Sequence, residues 1–165
     1  MILKHDVVLD VADPFCDQVD EETLREAALS VFSSRRLRRP RALSITVTDT
    51  RSVHFLNLHY RGIDEPTDVL AFETGFTNLR RPDGVAELGV LAIAYPIAQR
   101  GARDRGVNII DELTLLVIHG TLHLLGYDHD TEDEDREMIA LEEAALQRLG
   151  RVGVARSVNA RPYKT

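Results

Sequence analysis

The sequence predicts a single domain in which about four strands and about five helices alternate, and three observations carry that reading. The chain has 165 residues, 44% of them apolar and 28% charged, which suits one globular unit better than two. Short alternating or continuous apolar runs recur between stretches whose apolar residues repeat at helical spacing. No internal repeat, low-complexity segment or linker interrupts the series. Residues 1–150 read as one domain, and residues 151–165 as a basic, loosely ordered tail.

Taken in order, DVVLDV (residues 6–11) alternates and reads as a first strand. Asp20 is placed to cap a helix running from about Glu21 to Leu37, which Pro40 ends. ALSITVT (42–48) has period-2 apolar positions and β-branched residues and reads as the second strand. Residues 50–60 put Val53, Leu56 and Tyr60 on one helical face. VLAF (69–72) is a short strand, and the Gly, Asn, Pro and Asp-Gly content of 74–84 marks a loop. LGVLAIA (88–94) is continuously apolar, as a strand covered on both faces would be. Helical spacing returns at Pro96–Arg105 and at Ile109–Leu125, where Leu113, Leu116, Val117, Gly120 and Leu124 form one stripe. Thr131 and Glu134 stand at capping-box spacing before a last helix that runs through Leu149 and stops at Gly150.

A chain of this length buries about 68 to 70% of its unfolded surface, so it needs no disulfide or metal merely to fold, and a metal found in it has a job. Cys16 is the only cysteine, which excludes an internal disulfide and a thiolate zinc cage and suits a reducing compartment. The N-terminus lacks a continuous apolar core of signal-peptide type, and no 18-residue apolar run exists, so the expected location is the cytoplasm. Net charge is −7, which argues against a polyanionic partner until its distribution is considered. Nine acids against one base lie between Asp128 and Glu143, and the remainder holds 19 bases and 18 acids. Within that remainder Arg35, Arg36, Arg38, Arg39 and Arg41 crowd seven positions, so a nucleic acid is still admissible through local patches. Placement of cations at a helix C-terminus explains the same cluster equally well.

HGTLHLLGYDH, residues 119–129, holds three of the six histidines. His119 and His123 are four apart on a helix, so both imidazoles leave one face about 5 to 6 Å apart at Cβ. Gly126 can take φ > 0 and turn the chain so that His129 swings back to the same point. Three neutral nitrogens can hold one Zn2+ per chain and leave a fourth position open, the pattern of catalytic rather than structural zinc. His ligation implies that occupancy falls as pH drops through about 6.5. The spacing equals that of metzincin peptidases, H-E-x-x-H-x-x-G-x-x-H, except that Gly120 stands at the Glu position. Gly120 can neither activate water nor protonate an amine, whereas cleavage of a phosphodiester calls for a metal and a guanidinium more than for that carboxylate.

With HGTLHLLGYDH matching H-G-x-x-H-L-x-G-Y-D-H at every fixed position, the chain resembles the YbeY family of bacterial, single-strand-specific, zinc-dependent endoribonucleases. A second stretch, Tyr60-Arg61-Gly62 followed by Thr67-Asp68-Val69-Leu70-Ala71-Phe72, is similar to the family's YRG, spacer, T-[DN]-V-L-S-F. The resemblance covers about residues 42–150. It implies an α+β fold, with a small mixed sheet of about four strands packed with about five helices and the metal site at the end of a central helix. It implies zinc ligation by His119, His123 and His129, with His119 and Arg61 in the catalytic machinery and Arg61 gripping the scissile phosphate. It further implies that the substrate is single-stranded RNA rather than DNA, and a part in maturing the 3′ end of 16S rRNA and in ribosome quality control with the small ribosomal subunit. Two positions depart from the family: Ala71 stands where Ser is usual, and Val90 where Asp is frequent, so a polar group near the site is lost.

Around that site, Asp128 neighbours His129 and is placed to orient an imidazole or to serve in a helix entry or a solvated face, and Thr67 and Asp68 are placed to line a substrate cleft or to cap a turn. The competing readings are a metzincin-like zinc peptidase, favoured if another segment sets a Glu beside the metal, and a non-catalytic ribosome-associated protein that binds metal and RNA.

Overall fold

The computed structural model describes residues 4–73 and 81–156. Its strands are β1 (Asp6–Val11), β2 (Arg41–Thr48), β3 (Val69–Phe72) and β4 (Ala86–Ala94). Its helices are α1 (Glu21–Ser34), α2 (Thr50–Arg61), α3 (Tyr95–Arg105), α4 (Ile109–Leu124) and α5 (Glu132–Arg148). A 3₁₀ turn at Asp13–Gln18 was not anticipated. The four strands form one mixed sheet in the order β1-β2-β4-β3, with β1 and β4 parallel to β2 and β3 antiparallel to β4. The α+β expectation of about four strands and about five helices therefore holds.

Local chemistry explains most boundaries. Asp20 accepts the Thr23 N–H and Asp49 the Ser52 N–H, which opens α1 and α2. Thr131 and Glu134 close the capping box at the start of α5. Helix α1 stops at Ser34, three residues short of the predicted Leu37, because Arg36 takes a left-handed conformation at φ 48° and Leu37 folds back onto the core. Strand β4 starts two residues earlier than predicted, and it carries an irregularity where Ala42 pairs Glu87 but Leu43 pairs Gly89. Most of the predicted 74–84 loop, residues 74–80, lies outside the described residues.

Strand β4 is covered on both faces, as its continuous apolar run implied. Leu91 and Ile93 join the large core with α1, α4 and α5, while Ala92 and Ala94 meet Val53 and Leu56 of α2 on the other side. Helix α4 is buried on every face from Glu112 through Thr121, so the single stripe read from its sequence is one side of a helix enclosed all round. Gly120 makes that enclosure possible: a Cβ there would come within 2.7 Å of a Leu91 methyl. The segment after α5 is also packed where described, with Val154 buried in the main core and Arg156 4% exposed.

Candidate metal centre

Helix α4 ends on Leu125, with Gly126 at φ 97°. The Gly126 N–H donates to the His123 carbonyl and the Tyr127 N–H to the Leu122 carbonyl, which satisfies two carbonyls of the last turn. This reversal brings His129 back over the helix end. The ring centres of His119, His123 and His129 lie 4.6, 4.9 and 5.3 Å apart pairwise. One nitrogen from each ring falls within 4.8 Å of the other two, and Nε2 of His119 and His123 are 3.1 Å apart.

The donor set fits a divalent transition metal. His129 Nε2 is buried and has no hydrogen-bond partner among the described residues, which a bound cation would supply. Burial holds His119 well below the ordinary imidazole range, and it pulls His123 down to about 4 with help from the neighbouring histidines, so both are neutral and can donate a lone pair.

A buried relay holds His119 in place. Its Nδ1 lies 2.7 Å from Glu142 Oε1 on α5, and both side chains are fully buried. The Arg156 Nε donates to Glu142 Oε1 and Oε2 at 3.2 and 3.0 Å, and the same guanidinium donates to Asp135. Burial pushes Glu142 up to about 7 against the opposing pull of Arg156. With Nδ1–H directed at a carboxylate, His119 presents Nε2 to the other rings, a familiar way of fixing the tautomer of a metal-binding histidine. Sequence reasoning missed Glu142, Asp135 and Arg156. One signal was available: Glu142 sits at i+4 from Met138 and i−4 from Leu146, a carboxylate on the buried stripe of α5.

Arg61 is the last residue of α2, closed by Gly62 at φ 69°. It lines a cleft of about 420 Å³ together with Ala71, Glu73, His123, Tyr127 and His129. Asp128 also borders the cleft, yet its Oδ1 accepts the backbone N–H of His129, and among the three clustered imidazoles it is His119 that meets a carboxylate, that of Glu142. Thr67 and Asp68 are not in the cleft wall: Thr67 is 4% exposed, and Asp68 accepts the Val69 N–H at 2.7 Å where β3 begins. Val90 lies opposite Phe72 in the ladder and does not line the cleft either. Glu73, which sequence reasoning did not single out, does.

Against known proteins, the family model described as Endoribonuclease YbeY matches residues 13–150. The chain is 38% identical over 147 residues to an Endoribonuclease YbeY of Roseiflexus castenholzii, covering 87% of this chain and 92% of that one. A relative of the same description from Geobacillus thermodenitrificans is 34% identical over 157 residues, covering 91% and 98%. The solution structure of TM1509 from Thermotoga maritima superposes with a TM-score of 0.56 at 20% identity, covering 94% of this chain and 99% of that one, a likeness of fold.

Proposed function

The chain belongs to the Endoribonuclease YbeY family, and from that premise we propose that its cleft is the site of a zinc-dependent cut in single-stranded RNA. The observation that carries this reading is the shared wall: Arg61 and the imidazoles of His123 and His129 face one cavity, with His119 directly behind. His119, His123 and His129 are the ligands, and an all-histidine donor set with room for reactant favours zinc in a catalytic role. When bound, a divalent cation supplies Lewis acidity toward a phosphoryl oxygen and acidifies the attacking hydroxyl.

The chain's own residues do the rest. Arg61 grips the scissile phosphate through its guanidinium fork and offsets charge that develops on the equatorial oxygens. Glu142 accepts from His119 Nδ1 and so turns Nε2 toward the other two rings. Position 120 contributes no base, since its side of α4 is filled by Leu91. The expected setting is the cytoplasm, with the 3′ end of 16S rRNA on the small subunit as substrate; no helix among the described residues is long and apolar enough to cross a membrane.

Metal-loaded protein should cut single-stranded RNA in an EDTA-sensitive manner. His119→Ala should lose the cut together with the metal, and Arg61→Ala should keep the metal and lose cleavage by about 10²-fold or more. Cleavage that survives in His119→Ala would refute the assignment. Glu73 in the cleft wall is the one observation that favours a peptidase instead; casein digestion by the same preparation, absent on the nuclease reading, tests it.

A further inference from the structure

The arginines between α1 and β2 have no structural task that accounts for them. Helix α1 has no basic residue in its last turn, and Arg36, Arg38 and Arg39 follow its C-cap, Arg35. None of Arg35, Arg36, Arg38 and Arg39 makes an ion pair among the described residues, in a chain whose net charge is −7. The connection itself is pinned. Leu37 packs onto the core, the Arg41 N–H donates to His5 Nδ1 at 3.1 Å, and the His5 ring rests against Phe32 at 4.9 Å. Arg36, Arg38 and Arg39 are exposed on this fixed turn.

The turn adjoins the cleft. The Arg35 guanidinium carbon lies 5.4 Å from the centre of the Tyr127 ring, and Tyr127 is part of the cleft wall. The cleft itself is short of positive charge: Glu73, Asp128 and Asp130 line it against Arg61. A polyanion held at Arg61 meets these three carboxylates and needs cations close by to offset them.

We propose that Arg36, Arg38 and Arg39 form a phosphate track that continues the cleft, joined to it by Arg35 on Tyr127, and holds the single strand beyond the scissile nucleotide. This rests on the reading of the cleft as an RNA-cutting site and adds where the flanking strand lies. Arg61 grips the strand at the cleft wall, and the exposed arginines reached through Arg35 and Tyr127 grip it beyond the cleft.

The test compares the metal-loaded protein with Arg36→Ala/Arg38→Ala/Arg39→Ala, using a fluorescein-labelled 2′-O-methyl oligouridine of 20 nucleotides in a KCl series. Each arginine–phosphate contact contributes about 0.7 to the slope of log K against log salt, so the slope should shrink by about 2 and binding at low salt should weaken more than tenfold. A dinucleotide, held by the cleft alone, should bind both proteins within twofold, and Arg36→Lys/Arg38→Lys/Arg39→Lys should keep most of the slope. An unchanged slope, or equal loss for both lengths, overturns the track. Because this probe is read by binding alone, a failure to cut RNA would count against the enzyme reading and leave the slope measurement intact.

Discussion

Glu142 Oε1 sits 2.7 Å from His119 Nδ1 with both side chains sealed from solvent, so a carboxylate on α5 sets the orientation of an imidazole on α4 across 23 residues of sequence. Replacing it with the isosteric Gln removes the charge that holds the Nδ1 proton while keeping the volume. Glu142→Gln should weaken metal affinity by about 10- to 100-fold, read by competition with a chelator of known affinity. Wild-type affinity in that variant would mean the contact is packing only.

Arg156 is the partner that makes a buried Glu142 tolerable. Arg156→Ala removes the cation that opposes the rise of Glu142 and leaves the buried carboxyl and Asp135 without their donor, which costs about 1 to 3 kcal/mol. Urea unfolding of the metal-free protein should show that loss, and ending the chain after Gly150 should show a similar one. A double change of Glu142→Leu and Arg156→Met should recover much of it, because apolar replacement of both partners removes the unsatisfied carboxyl. Equal stability of Arg156→Ala and wild type would rule out the relay.

The parts of the fold and site legible in sequence were those set by short-range rules. The spacing of His119 and His123, the turn at Gly126 and the capping box at Thr131 and Glu134 each depend on residues within a turn or two of one another. Helix period and positive-φ glycine are enough to place them. Glu142 and Arg156 were hidden for the opposite reason: their pairing spans 14 residues and the link to His119 spans 23, so nothing local distinguishes them from a solvated acidic face and a basic tail. Thr67 and Asp68 had two open readings because polar residues before a strand look the same in sequence whether they face a cleft or close a turn. The backbone direction at β3 decides between them, and no short motif encodes it.

Asp68 carries a pH signature. Burial pushes its carboxyl up to about 6, Glu112 adds to the rise, and the Val69 N–H opposes it. Between pH 4 and 6 the unfolded chain has lost this proton and the folded chain keeps it, so stability falls as pH rises through that window and the full penalty is present at pH 7. Asp68→Asn should therefore stabilise the protein at pH 7 by about 2 to 3 kcal/mol and do little at pH 4. Unfolding free energies at the two pH values check it, and a variant less stable at neutral pH would contradict the burial argument.

His123 has the opposite sign. With its folded value lowered to about 4, mainly by burial and then by the charges of His119 and His129, the unfolded chain binds a proton below pH 6.5 that the folded, metal-free protein refuses. Stability attached to this group is complete above pH 6.5 and drains as pH falls toward 4. His123 also remains a neutral ligand well below the 6.5 midpoint that the sequence alone suggests. An NMR titration of the metal-free protein should place the His123 imidazole midpoint below 5, and a midpoint near 6.5 would remove the basis for both statements.

Gly120 is the position where peptidases of the same spacing carry their glutamate, and packing explains why this chain cannot. A Cβ at that point would meet Leu91 Cδ2 at 2.7 Å and Cδ1 at 3.3 Å, and Leu91 is fully buried, so its side chain must shift within a packed core. An alanine normally favours a helix over glycine by about 1 kcal/mol. Here overpacking of about 1 to 3 kcal/mol opposes that gain, so Gly120→Ala should be no more stable than wild type. Gly120→Glu should be worse still, because it also drives a carboxylate into the core, and it should confer no peptidase activity. Pairing Gly120→Ala with Leu91→Ala, which opens the clashing space, separates the terms: the alanine at 120 should be stabilising in that background. If Gly120→Ala alone raises stability by its full helical preference, the close approach of α4 to β4 is not what keeps a glutamate out.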